Sequence, residues 1–197
     1  MIKLFSEEKM TEKNKINPRK AGIILHPTSL PGNYGTGDFG AAAYDFVDFM
    51  AESGIRIWQI LPLTPTGADG CPYNSFSAFA GNEILIDLDS LFEENLLEKT
   101  AIMPVFDNFR VDYPKVIEFK SKALDEAAEN FYKVRENYPD FALFVKENSP
   151  WLNDFALFRV LTKKFEGKSW KFWPTEFKNH DEKALKEFEK AHEKELF

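Results

Sequence analysis

The chain has 197 residues, room for one domain or for a domain with a sizeable insertion. Its composition, 44% hydrophobic and 29% charged, excludes a disordered chain. The net charge of −7 argues against a nucleic-acid binder, and a single cysteine with three histidines argues against a disulfide framework or a His-rich metal site.

The first 19 residues are highly charged and lack an apolar h-region. They read as a polar extension rather than a secretory signal, and the expected location is the cytoplasm. No run of about 18 apolar residues occurs, so no membrane helix is expected. Ala21 to Leu25 is a short apolar run that suits a buried strand. A loop rich in proline and glycine follows over 27–37. Asp38 then reads as a helix N-cap. Phe39, Ala43, Phe46, Val47 and Met50 recur at helical spacing, and Gly54 suits the stop. Ile55 to Leu63 reads as a second buried strand, with Trp58 in the core. Strand, helix and strand in about 40 residues make a βαβ unit, whose ligand loops follow the carboxyl ends of its strands. Here those loops are 27–37 and 62–82. Ile84 to Leu88 is a third strand candidate.

From about residue 90 the pattern turns helical. A short helix is expected from Asp89 to about Lys99. A long one starts near Pro114 and carries Val116, Ile117, Ala123, Leu124, Ala127, Phe131 and Val134. Another covers 140–148, a further one follows Ser149-Pro150, and the last runs from about Asp181 to the end. Its apolar side is Ala184, Leu185, Phe188 and Ala191. The expected organisation is a polar extension (1–19), the first βα units with their loops (20–89) and a mainly helical subdomain (90–197). The fold class is α/β. With two or three strand candidates against the eight of a β/α barrel, the topology suggests the N-terminal fraction of a larger fold.

The most informative stretch runs from Gly70 to Asn82. It is too polar for a core element and carries three aromatics. An exposed ring beside a strand end can stack on a sugar face, and nearby Asn and Ser side chains can bond its hydroxyls. Tyr73, between Pro72 and polar neighbours, suits that role as well as a structural one. Phe76 and Phe79 are expected to anchor the loop in the core. His26 is a general-base candidate, with a local hydrogen bond as the plainer reading. Cys71 has no histidine beside it in sequence, which argues against a nucleophile. Trp170 and Trp173 suit helix packing better than an aromatic platform. Gly35, Gly37 and Gly40 match a dinucleotide-loop spacing, but no acidic residue closes a strand about 20 residues later.

Taken together, AGIILHPTSLPGNYGTGDFG, IRIWQILPLTPTG, CPYNSFSAFAGNEILIDLDSL and DFALFRVLTKKFEGKSWKFWPTEFKNHDEKAL resemble the N-terminal region of 4-alpha-glucanotransferases. These are also called amylomaltases or disproportionating enzymes. The resemblance covers about residues 20 to 192. It implies a (β/α)8 TIM-type barrel with an α-helical inserted subdomain, incomplete in this chain. It implies transfer of an α-1,4-glucan segment between maltooligosaccharides by a retaining double displacement, with no metal or organic cofactor. The implied partner is a maltooligosaccharide or glucan, with a complementary C-terminal half or a second copy as further partners. Tyr73 matches the family's Pro-Tyr motif, whose tyrosine packs against sugar, and Ser75 and Cys71 flank it as substrate-binding candidates. Serine is common in the family at the Cys71 position, and isoleucine at Thr36. Nothing in the chain matches the family's catalytic carboxylate motifs; Asp87 and Asp89 fall in a non-catalytic stretch. The expectation is therefore an inactive fragment by itself, with a non-catalytic glucan-binding or interaction module as the alternative.

Overall fold

The computed structural model describes residues 19–98 and 104–197. Both strands form, shorter than their apolar runs: β1 is Gly22–Ile24 and β2 is Ile57–Gln59. They pair in parallel, with Ile23 opposite Trp58. The crossover is α1, Ala41–Glu52, so the expected βαβ unit is present. Phe46 of α1 meets the Trp58 ring edge-on at 5.0 Å, and the Trp58 indole N–H donates to the Leu25 carbonyl at 2.7 Å. Gly54, at φ +70°, follows the helix end as expected.

Four sequence expectations are corrected. The strands are not buried on both faces. Ile24, Ile57 and Ile60 stay exposed, because the described sheet has two strands and α1 supplies one covering layer. Asp38 is not the N-cap of α1; Gly40 is. The Asp38 carboxylate accepts the Gly40 N–H and pairs with a buried lysine instead. Ile84 to Leu88 is not a strand. Asn82 caps a 3-10 turn over Glu83–Leu85 by accepting the Ile84 N–H, and Asp87 caps α2, Leu88–Glu93, by accepting the Asp89 and Ser90 N–H groups. Two side-chain caps so close together leave the segment no extended run to pair.

The fourth correction concerns Pro150. The helix expected over 140–148 and the one expected after Pro150 are a single helix, α4, Pro139–Lys164. A proline inside a helix leaves the carbonyl four residues back without its N–H. Here that carbonyl is Lys146, and the Ser149 hydroxyl donates to it at 3.1 Å. The helix therefore continues through the break.

α3, Tyr113–Val134, starts as predicted, with Asp112 as its cap and Pro114 in its first turn. After α4 come α5 (Thr175–Lys178), α6 (Glu182–Ala191, capped by Asp181) and α7 (Glu193–Leu196). Two apolar clusters organise the chain. Tyr34, Leu88 and Leu97 join α2 to α3, with Phe92, Phe119 and Leu124 packed around them. Leu157, Leu161, Trp173, Leu185 and Phe188 join α4 to α6. Trp173 thus serves helix packing, as expected, while Trp170 is exposed. Leu88 and Val116 are fully buried. At about 1.5–3 kcal/mol for each buried aliphatic side chain, each contributes more to stability than a surface ion pair would. Nearly all of the expected polar extension, and Lys99, lie outside the described residues.

Candidate functional site

The loop after β2 begins at Pro62 and is closed by the Asn82 N–H, which donates to the Leu63 carbonyl at 2.8 Å. Inside it, Thr66 and Ser75 form an antiparallel bridge. Asp69 organises the tip: one carboxylate oxygen accepts the Cys71 N–H at 3.2 Å and the other the Asn74 side-chain amide at 3.2 Å. Those two bonds, the Cys71 N–H first, hold the Asp69 carboxyl below its ordinary pKa. Gly70 takes φ +65°, and a Cβ there would stand 2.4 Å from the Tyr113 ring. Glycine is required both for the turn and for the approach of α3.

On this frame Tyr73 is 74% exposed, with no hydrogen bond or ring contact to another described residue. It lines an open groove of about 530 Å³ with Pro62, Thr64, Pro72, Ser75 and Phe76. Ser75 is brought beside it, but its hydroxyl donates to the Ser77 carbonyl at 2.7 Å and accepts the Ser77 N–H at 3.2 Å. One lone pair remains, so Ser75 can only accept from a ligand. Cys71 is a free, half-buried thiol and is not among the residues lining the groove. Its backbone serves the turn.

Phe76 and Phe79 do anchor the loop, but not in a core: they are 43% and 73% exposed. Phe76 lies on Phe155 and Phe158, and Phe79 stacks on Trp151, all three from α4. Arg159 of α4 pairs with Glu83 at 2.7 Å and sits over the Phe76 ring. The pair is partly exposed and worth about 0–1 kcal/mol, whereas each ring contact adds about 0.5–1.5 kcal/mol. Rings hold the loop to α4 more than charge does.

The first loop, 27–37, is rigid for other reasons. His26 bonds locally, as its plainer reading expected: Nδ1 lies 2.8 Å from the Thr28 hydroxyl and Nε2 3.4 Å from the Pro62 carbonyl. A carbonyl only accepts, so Nε2 carries the proton. The loop is further fixed by the buried Tyr34, whose hydroxyl donates to Asp89. Burial, and then that bond, raise the Tyr34 pKa well above the ordinary phenol range.

Behind both loops lies Lys120 of α3, fully buried. Burial pushes its pKa down, and Asp38, at 3.0 Å, pulls it back up. Sequence reasoning missed this residue. It also passed over Asp69, although an aspartate before glycine in a turn-rich run is a recognisable Asx-turn signal. Among the described residues, no group of three or more His, Cys, Asp or Glu side chains is placed to hold a metal ion, and no helix is long and apolar enough to cross a membrane.

Comparison with known proteins identifies the family. A family model described as 4-alpha-glucanotransferase matches residues 25–197. The 4-alpha-glucanotransferase of Thermus thermophilus is 45% identical over 176 residues, 88% of this chain and 35% of its own length. The chloroplastic/amyloplastic one of Solanum tuberosum is 36% identical over 176 residues, 86% of this chain and 31% of its own. An amylomaltase from Streptococcus agalactiae, solved in complex with acarbose, superposes with a TM-score of 0.84 at 37% identity, covering 91% of this chain and 37% of that one. The chain thus spans about a third of the length of these relatives. Sequence and fold agree over nearly all of it, and the chain belongs to the 4-alpha-glucanotransferase family.

Proposed function

We propose that this chain supplies one wall of a glucan site in a 4-alpha-glucanotransferase, with Tyr73 as the ring on which a sugar face stacks. The observation that carries this reading is the exposed Tyr73 on a hydrogen-bonded loop beside an open groove. A ring left mostly uncovered by its own fold, on a hydrogen-bonded frame, is available to a ligand. Ser75 accepts a sugar hydroxyl through its free lone pair, and Cys71 contributes the turn.

The reaction is a retaining transfer between maltooligosaccharides. A carboxylate attacks the anomeric carbon while a carboxylic acid about 5 Å away protonates the leaving oxygen. The glycosyl-enzyme then passes its glucan to the 4-hydroxyl of an acceptor, whose proton returns to the second carboxylate. We place that pair outside residues 1–197, so that the chain alone is inactive. In support, the three aspartates clustered near α1 are occupied: Asp38 by Lys120 and the Gly40 N–H, Asp87 by the α2 cap, Asp89 by Tyr34. The same occupation favours the second reading, a glucan-binding module without chemistry. The open edges of the β1–β2 pair and the exposed Ile24, Ile57 and Ile60 support a barrel reading, in which further strands of the same fold, the complementary C-terminal half, cover them. The cytoplasm is the proposed location.

The test is maltotriose incubated with the full-length protein, with products resolved by chain length. Glucose together with maltopentaose supports transfer. Binding without either product selects the binding module, and neither binding nor products overturns both readings.

A further inference from the structure

We propose that Lys120 is a positioning residue for glucan binding, fixing from inside the fold the exit of the loop that carries Tyr73. All three ammonium N–H groups are directed: to the Asp38 carboxylate at 3.0 Å, the Ile84 carbonyl at 2.7 Å and the Ile86 carbonyl at 2.9 Å. Ile84 and Ile86 follow Asn82, the residue whose N–H closes the loop onto Leu63. Asp38 stands two residues before Gly40, the N-cap of α1. One side chain therefore ties α3, the approach to α1 and the loop exit to a single point.

An apolar side chain would fill the same buried volume. It would not fix two carbonyl oxygens and a carboxylate at once, because packing is non-directional and hydrogen bonds are not. A fully buried lysine with every donor used is also a costly choice if volume alone were needed. Asp87 and Asp89 add negative charge around the ammonium, so Lys120 is the counter-charge to a cluster of carboxylates at the root of both loops.

This inference rests on the glucan reading of the Tyr73 groove, and the test separates the two. Lys120→Met combined with Asp38→Asn removes both charges together and leaves no buried unpaired ion. In the full-length protein this double variant is expected to keep its far-UV circular dichroism. Amide exchange at Asn82 and Ile86 should accelerate at least tenfold, and KM for maltotriose should rise about tenfold with kcat within twofold of the parent. A merely structural role would lower the folded, active fraction and hence apparent kcat, leaving KM and the exchange of the surviving fold unchanged; that result overturns the proposal. The second variant, Asp38→Asn alone, keeps both carbonyl bonds but strips the buried ammonium of its nearest carboxylate, so it should lower the denaturation midpoint while KM of the folded protein stays within twofold. A tenfold rise there would put the loop's placement on the carboxylate and overturn the assignment to Lys120, whether or not the double variant folds. If the parent shows no glucan transfer, the functional reading falls, while the exchange rates still decide whether Lys120 holds the loop.

Discussion

Replacing Tyr73 with alanine is expected to separate binding from folding, because it removes the proposed sugar contact and no ring contact or side-chain hydrogen bond of the fold. Tyr73 is 74% exposed and touches no described ring or hydrogen-bonding group, so its loss should change unfolding free energy by no more than about 0.5 kcal/mol. A pyranose stacked on one face of the ring is taken to cover about 60 Å² of apolar surface, under half of the roughly 150–250 Å² that an aromatic side chain can bury. At about 25 cal/mol per Å² this is worth roughly 1.5 kcal/mol, or about tenfold in Kd. Tyr73→Phe keeps the ring and should stay within about threefold of the parent. The assay is calorimetric titration of maltoheptaose into the full-length protein, with urea unfolding run alongside. A Tyr73→Ala protein that loses more than about 1 kcal/mol of stability while its glucan Kd stays put would refute the reasoning.

Gly70→Ala and Gly54→Ala form a contrasting pair. Both positions have positive φ, but a Cβ at Gly54 meets nothing within 4 Å whereas one at Gly70 meets the Tyr113 ring. Chemical denaturation should show a loss of about 1 kcal/mol at Gly54 and about 2–3 kcal/mol at Gly70. Leu161→Ala, in the cluster joining α4 to α6, should cost about 2–5 kcal/mol by the same method. The Asp69 turn gives an acid signature. Its carboxyl is held below the ordinary value of 3.8, so the unfolded chain takes up the proton first as pH falls. The turn's contribution is full above 3.8 and is lost as pH drops through the lower, folded value. Protection of the Cys71 amide, followed by NMR, should fall off there in the parent and become pH-independent in Asp69→Asn.

Much of this fold was legible in the sequence, and its misses have physical causes. The spacing of α1 and α6 and the helix starts near Pro114 and Asp181 are local signals, and the structure keeps them. The run from Ile84 to Leu88 misled because a short apolar stretch is the same signal for a buried strand and a buried turn. The deciding residues were its polar neighbours Asn82 and Asp87. Pro150 misled because the proline rule looks at the backbone, while the rescue came from the Ser149 side chain. At the site, the exposed polar loop around Tyr73 could be read from composition. Its support could not: Lys120 looks like any helix lysine until it meets Asp38, 82 positions away. A charge in sequence carries no mark of whether water or a carboxylate will surround it.

The β1–β2 pair has a consequence for biosynthesis. Its strands and crossover helix all lie between Gly22 and Gln59, so they are translated before any strand that follows them, and they can pair as soon as Gln59 is out. At about 5–20 residues per second, the unit is complete seconds before the further strands of the proposed barrel could reach it. During that interval Ile24, Ile57 and Ile60 stand along an unsealed parallel edge, with Val47 and Phe49 bare on the adjoining helix. Such an edge recruits any neighbouring strand, including one from another nascent chain. Yield on expression is then set by the race between elongation and self-association rather than by the stability of the finished molecule. Slowing translation just after Gln59 should lower it, and reducing the density of ribosomes on the message should raise it.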